Sequence, residues 1–534
     1  MTEEKINTQK WFWIFCSLHV FLWTVIPTIF FPTLYGDTVE SIAWGYQWQW
    51  GYTKHPPLAA WIAAFAANIG PFTEFQIYLI ASLLTVLTFW AIWKLAGKIL
   101  TPGRALIAVL LLEGAIYYNC YSVYIDPDMV QLPIWALIAL TFYIALKGEK
   151  IYQWLLVGFF CALAVYAKYQ AMLIFIPMFV ISLATVEGRK NYLKPGIYLC
   201  FIFFLIIIAP HFIWAYFNNF PAINYAYDAT HGMNAAARFT FGQSLFSSLN
   251  FLLAQIGFCV LLILLTLTFL FVKRDKAYSV GSFNKRYILI LGLGPLAVAM
   301  LYPIIARSEV LPRWGWSIFS LIGIIFISFI KPTVTKKVFY RFAKQLFVVI
   351  CFIALSYCIF YGYWFSYVNG NYRNWNLFPS KAIAEKVTDI WDEQYKTPLK
   401  YIAGSHYLIV GITVYSKDHP IPYLDWNEKE ALWMNVTDMR KDGAMFAWWV
   451  DGLDTGSDVK LIPAVKKRFP KAQMLGVYRF KKTGIPKDNR PILKNWIENN
   501  YPDWLENPLI NQFFPNYPPY VDIGIAILPP GSKG

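Results

Sequence analysis

The chain has 534 residues, of which 57% are hydrophobic, 19% aromatic and only 14% charged. Soluble domains carry about a quarter charged residues, so this composition excludes an ordinary water-soluble fold and points to a chain dissolved in lipid. A formal net charge of +15 could suit nucleic acid, but the basic residues are distributed as a membrane topology requires, and no nucleic-acid partner is expected.

Eleven hydrophobic spans are predicted, at approximately 11–34, 75–93, 105–118, 129–146, 151–167, 170–186, 197–217, 246–272, 287–306, 314–330 and 345–366. No small-residue cleavage site follows the first, which therefore reads as a retained helix and not a signal peptide. When the connecting segments are assigned alternately to two sides, one side receives 20 basic residues and the other five: Lys54, Lys168, Arg238, Arg307 and Arg313. Basic residues are retained on the cytoplasmic side, so the amino terminus is predicted inside and everything after about residue 367 outside. The expected organisation is a transmembrane domain at 1–366 followed by an extracytoplasmic soluble α/β domain at 367–534. Within that tail, Lys400–Ala403, Gly411–Tyr415 and Met474–Phe480 read as strands or short helices between Pro, Gly and Asp turns. The seven cysteines lie in or beside apolar segments without a CxxC pair, and read as small core residues.

Five basic residues persist on the outer face beside the acidic residues Asp37, Glu40, Asp126, Asp128, Asp228 and Glu309. Each basic residue lies at or near a predicted helix end. Charge at a membrane boundary is costly unless paired or hydrated, so a set confined to one face favours function over scattered snorkelling. The first outer loop is the most informative. Asp37 follows the first helix after a glycine, where a carboxylate can take a proton from a hydroxyl nucleophile. Lys54 and His55 stand beside a rigid Pro-Pro pair and could hold an anionic phosphate. Trp44, Trp48 and Tyr52 recur at intervals of four, which suits an amphipathic helix lying at the interface. A secondary transporter would need ionisable residues along a mid-membrane path, and only Glu113 and Lys168 lie within or beside spans. A non-enzymatic envelope scaffold would leave the outer basic residues unexplained.

The stretch Gly51–Trp61, GYTKHPPLAAW, resembles the first-loop motif of bacterial family 39 glycosyltransferases. These belong to the GT-C class, with protein O-mannosyltransferases and the aminoarabinose transferases of lipid A as relatives. Four further stretches agree in order: Asp126-Pro127-Asp128 with Trp135, Ala167-Lys168-Tyr169, Pro210–Trp214 with Asn218–Pro221, and Leu311-Pro312-Arg313-Trp314. The resemblance implies a GT-C fold and a multi-pass enzyme of the bacterial inner membrane, acting as a monomer with its soluble domain in the periplasm. Its donor would be a polyprenyl (undecaprenyl) phosphate carrying one sugar. By this resemblance Asp37 and Asp128 would take the catalytic positions, and His55 and Lys168 would face the donor phosphate; Lys54, Arg313 and Arg238 join them as phosphate candidates because they are basic residues retained on the outer face. Glu40, Asp126, His231 and Arg307 are further candidates. The acceptor stays open between lipid A, another envelope glycan and protein hydroxyls. Thr38 and Lys54 replace acids that help hold a divalent cation in relatives, so a metal is left open and no cofactor is assigned.

Overall fold

The computed structural model describes residues 6–71, 73–231, 239–360, 375–450, 461–482, 499–501 and 520–532. The chain forms two compact units. The first comprises Met1–Val25, Trp50–Ala59 and Ile77–Ala354; the second comprises Ile26–Gln49, Ala60–Gln76 and Leu355–Gly534.

The first unit is helical. Across the described residues six helices are long and apolar enough to cross a bilayer: Thr8–Phe30, Thr73–Ala96, Pro127–Lys147, Gly196–Phe217, Ser282–Ala306 and Lys336–Phe360. A further apolar pair, Phe241–Phe258 and Val260–Phe271, is bent by 57° and makes a seventh where it is counted as one span. The protein is a multi-pass membrane protein. The other four predicted spans have shorter helical counterparts. Ile151–Ala167 has 17 residues, about 25 Å of helix, just short of the ~30 Å hydrocarbon layer. Tyr169–Ala184 is likewise apolar but short. The 105–118 span is the helix Pro102–Leu110 running into 3₁₀ turns at Leu111–Gly114 and Ile116–Tyr118, and the 314–330 span contains the nine-residue helix Ile322–Ile330.

Pro127–Lys147 is the most buried of the spans, which is why its sequence is apolar on every side. It packs on Ile151–Ala167, which in turn packs on Gly196–Phe217. Tyr117 and Tyr118 are fully buried, against Phe258 and Phe89 respectively, so neither is an anchor at the lipid surface. On the predicted cytoplasmic side, buried Arg104 donates to Asp275 at 2.9 Å and to the Pro332 carbonyl at 2.9 Å. That guanidinium holds the Asp275 carboxyl below its usual range.

The second unit contains a five-stranded sheet: β1 Tyr401–Gly404, β2 Ile421–Leu424, β3 Ala444–Trp449, β4 Gln473–Lys481 and β5 Tyr520–Leu528, in the order β2-β1-β3-β5-β4. β1 pairs parallel with β2 and β3, whereas β5 pairs antiparallel with β3 and β4. β1 is buried along its whole length, as an interior parallel strand requires. The helix His406–Tyr415 carries the crossover from β1 to β2, so the apolar Gly411–Tyr415 run is helical while its two companions are strands. A second short helix, Gly36–Gly45, packs against it. Gly45 has no room for a side chain, since a Cβ there would fall 2.2 Å from the Ala60 carbonyl oxygen. The Trp44, Trp48 and Tyr52 spacing does not mark one interfacial helix. The helix ends at Gly45, Trp44 and Tyr52 are buried, and only Trp48, held at φ 46°, is exposed.

Candidate active site

In the first unit, Asp126 and Asp128 open the buried helix Pro127–Lys147. Asp126 is its N-cap, accepting from the Met129 backbone N–H at 2.8 Å, and Pro127 occupies the first helical position. That contact explains Asp126 as a helix cap. Asp128, two residues further on, turns elsewhere. Its Oδ1 meets the Lys168 ammonium at 2.6 Å, with both side chains about 15% exposed.

Lys168 ends the helix Ile151–Ala167 in extended backbone, which frees its side chain from the helix surface. Its carbonyl accepts from Gln131 at 2.9 Å, and Gln131 in turn accepts from the Trp135 indole. The ammonium also lies 5.9 Å from the Trp314 ring, and Gln170 donates to the Trp314 carbonyl. Gln255 donates to the Pro312 carbonyl at 2.9 Å and accepts from the Tyr117 hydroxyl. Lys168, Asp128 and the Leu311–Trp314 stretch are thus joined by direct contacts.

The first-loop motif joins the same network through His211. Its Nδ1 faces the Trp50 carbonyl at 2.6 Å and its Nε2 faces the Tyr169 hydroxyl at 2.7 Å. A carbonyl only accepts, so Nδ1 carries the proton and Tyr169 donates to Nε2. Gly51 fits only as glycine, because a Cβ would fall 2.3 Å from the Trp214 ring. The Tyr52 N–H donates to the His55 carbonyl at 3.0 Å, closing the turn that presents half-buried Lys54 and His55. The His55 ring meets Tyr225 edge-on at 5.8 Å. His211 is the residue that sequence reading passes over, although it sits inside the Pro210–Trp214 stretch.

The remaining first-unit candidates are more dispersed. Arg313 is exposed on the 3₁₀ turn Pro312–Gly315. Arg307 is exposed in left-handed backbone, with its guanidinium over Phe241 at 5.2 Å. Arg238 lies outside the described residues, as does the side chain of His231, whose backbone ends the helix Pro221–His231.

In the second unit, Asp37 lies in the first turn of Gly36–Gly45, where the helix dipole favours a carboxylate. Glu40 is one turn along the same face and is 5% exposed. The Tyr407 hydroxyl faces Asp37 Oδ1 at 3.4 Å, and His406 Nε2 bonds to Glu40 Oε1. Neither His406 nor Tyr407 carries any signal in the sequence. Among the described residues, no three His, Cys, Asp or Glu side chains are grouped as a metal site requires.

Residues 54–214 match the family profile described as dolichyl-phosphate-mannose-protein mannosyltransferase. No curated protein sequence matches. The crystal structure of ArnT from Cupriavidus metallidurans bound to undecaprenyl phosphate is similar with a TM-score of 0.60 and 13% identity, covering 98% of this chain and 99% of that one. The apo structure of the same protein is similar with a TM-score of 0.58 and 14% identity, covering 88% and 96%. The chain therefore has the GT-C-type fold: a polytopic helical membrane region and a small C-terminal α/β region.

Proposed function

We propose that this protein is an inverting glycosyltransferase. It moves one sugar from undecaprenyl phosphate to an envelope acceptor at the outer face of the inner membrane, with its soluble domain in the periplasm. The observation that carries this reading is the Asp128–Lys168 pair, joined by direct contacts to the 311–314 stretch and, through Tyr169 and His211, to the first-loop motif. The fold adds support, since a similar structure was determined with undecaprenyl phosphate bound.

The leaving group is a phosphate monoester whose negative charge grows in the transition state, so fixed cations stabilise it directly. Lys168 is the central cation, with Asp128 holding its ammonium; Lys54, His55 and Arg313 are the further groups assigned to the phosphate. Asp37 takes the proton of a hydroxyl acceptor, or orients an acceptor that is already an anion, as the acceptor oxygen attacks the anomeric carbon. The bond from that carbon to the phosphate oxygen breaks, and its electron pair leaves with the phosphate. One displacement inverts the anomeric configuration.

The preferred acceptor is lipid A or another envelope glycan. The profile match over 54–214 favours a second reading, transfer to protein hydroxyls. The test offers undecaprenyl-phosphate aminoarabinose and undecaprenyl-phosphate mannose, each with lipid A or a Ser/Thr peptide, to the full-length protein in nanodiscs. Mass spectrometry reads the products. One pair should yield glycosylated acceptor and free undecaprenyl phosphate, and Asp37→Asn should slow it by about 10²-fold or more. Wild-type turnover in a well-folded Asp37→Asn protein would refute the assignment.

A further inference from the structure

We infer that His406, assisted by Tyr407, is a positioning residue for the first-loop carboxylates. The inference rests on the glycosyltransferase reading and gives the soluble part of the chain a role in the chemistry.

The helix His406–Tyr415 is bonded to the segment around Gly36–Gly45 at both of its ends. At one end the Leu34 backbone N–H donates to the Tyr415 hydroxyl at 2.8 Å; at the other, His406 meets Glu40 and Tyr407 meets Asp37. Two anchors a full helix length apart fix the register of one helix on the other. The first helical residue therefore always faces Glu40.

His406 is built for this contact. Its backbone N–H donates to Asp425 Oδ1 at 3.0 Å, which caps the helix, and its Nδ1 lies 3.8 Å from Asp425 Oδ2. The ring is 11% exposed and sits edge-on to Trp44 at 6.5 Å. Glu40 as a carboxylate only accepts, so the imidazole proton on Nε2 points at it. Asp37 and Glu40 are three residues apart on one helical face, and like charges at that spacing repel. A proton donor on Glu40 and a hydroxyl on Asp37 offset that repulsion and restrict the rotamers of both acids. Among the described residues, the titratable groups that contact His406 are Glu40, Asp425 and Tyr407, with Asp37 reached through Tyr407.

The role is tested by steady-state release of undecaprenyl phosphate, using the full-length protein in nanodiscs and the productive donor from the panel above. His406→Ala should lower kcat about ten- to a hundredfold, the loss expected of a misdirected group, with donor KM unchanged. His406→Gln, whose amide still offers an N–H toward Glu40, should recover most of that loss. Because His406 acts through Glu40, adding His406→Ala to Glu40→Gln should cause no further loss. Losses that multiply in the double variant, or a Gln variant as poor as the Ala variant at equal melting temperature, overturn the inference. If His406→Ala does not fold, Tyr407→Phe removes the companion contact to Asp37, and an unchanged kcat overturns the inference. The two failures are distinguishable. An inactive wild type, or an active Asp37→Asn, refutes the glycosyltransferase reading and this inference with it. An active wild type with inactive Asp37→Asn and fully active His406→Ala refutes the positioning role alone.

Discussion

Replacing Asp128 by Asn removes the negative charge from a pair 2.6 Å apart but leaves the Lys168 ammonium in place, with only 15% of that side chain exposed. The attraction lost would be about 4 kcal/mol at 4 Å in a surface-like dielectric, and part of it is repaid because the carboxylate no longer needs desolvation. A hydrogen bond to a charged group contributes about 1.5–3 kcal/mol net, so a destabilisation of about 2 kcal/mol is expected. Lys168→Met should cost a similar amount by stranding the carboxylate. Removing both charges, as Asp128→Asn with Lys168→Met, should cost less than the sum, because neither charge is then left unpaired. Equilibrium unfolding in mixed micelles measures the cycle, and donor turnover is followed in parallel. If Lys168 clamps the leaving phosphate, the double variant regains stability and stays inactive. A double variant that regains both stability and turnover would refute the clamp and leave the pair a structural tie.

Three further outcomes are expected. Gly45→Ala forces a methyl to within 2.2 Å of the Ala60 carbonyl, and should destabilise the protein by about 1–3 kcal/mol in the same unfolding assay. His211→Ala removes one bond to the Trp50 carbonyl and loosens the start of the first-loop motif, so donor KM should rise several-fold in turnover measurements. Glu113→Gln weakens the bonds from His19 at 2.9 Å and the Trp23 indole at 3.1 Å, and should cost about 1.5–3 kcal/mol of stability.

Much of the fold is legible because apolar runs and their flanking charges are local signals. The five motif stretches are local too, and they mark Asp128, Lys168 and the 51–57 loop. Several features fail to show for identifiable reasons. The spans at 105–118 and 314–330 are equally apolar whether continuous or interrupted, since burial inside protein removes the length requirement that lipid imposes. Asp126 and Asp128 look alike in sequence, and only the structure shows that one accepts from the Met129 backbone N–H while the other meets Lys168. The intervals of Trp44, Trp48 and Tyr52 fit a helix that the backbone leaves at Gly45. His406 and Tyr407 lie about 370 residues from the acids they touch, and no local pattern carries a contact of that separation.

The His19–Glu113 bond also constrains how the protein enters its membrane. His19 sits midway along the first span, and Glu113 lies in a 3₁₀ turn after a nine-residue helix, both almost fully buried. An acid deep in the bilayer raises the cost of insertion by about 3 kcal/mol, and so short an apolar element has little with which to offset it. During synthesis the first span is already in place, and its imidazole gives the arriving carboxylate a partner. The 102–118 element is therefore expected to rely on the first span for a partner to its buried acid. Losing His19 would be felt first at the translocon, as a shortfall of correctly inserted protein, before any defect in the finished fold.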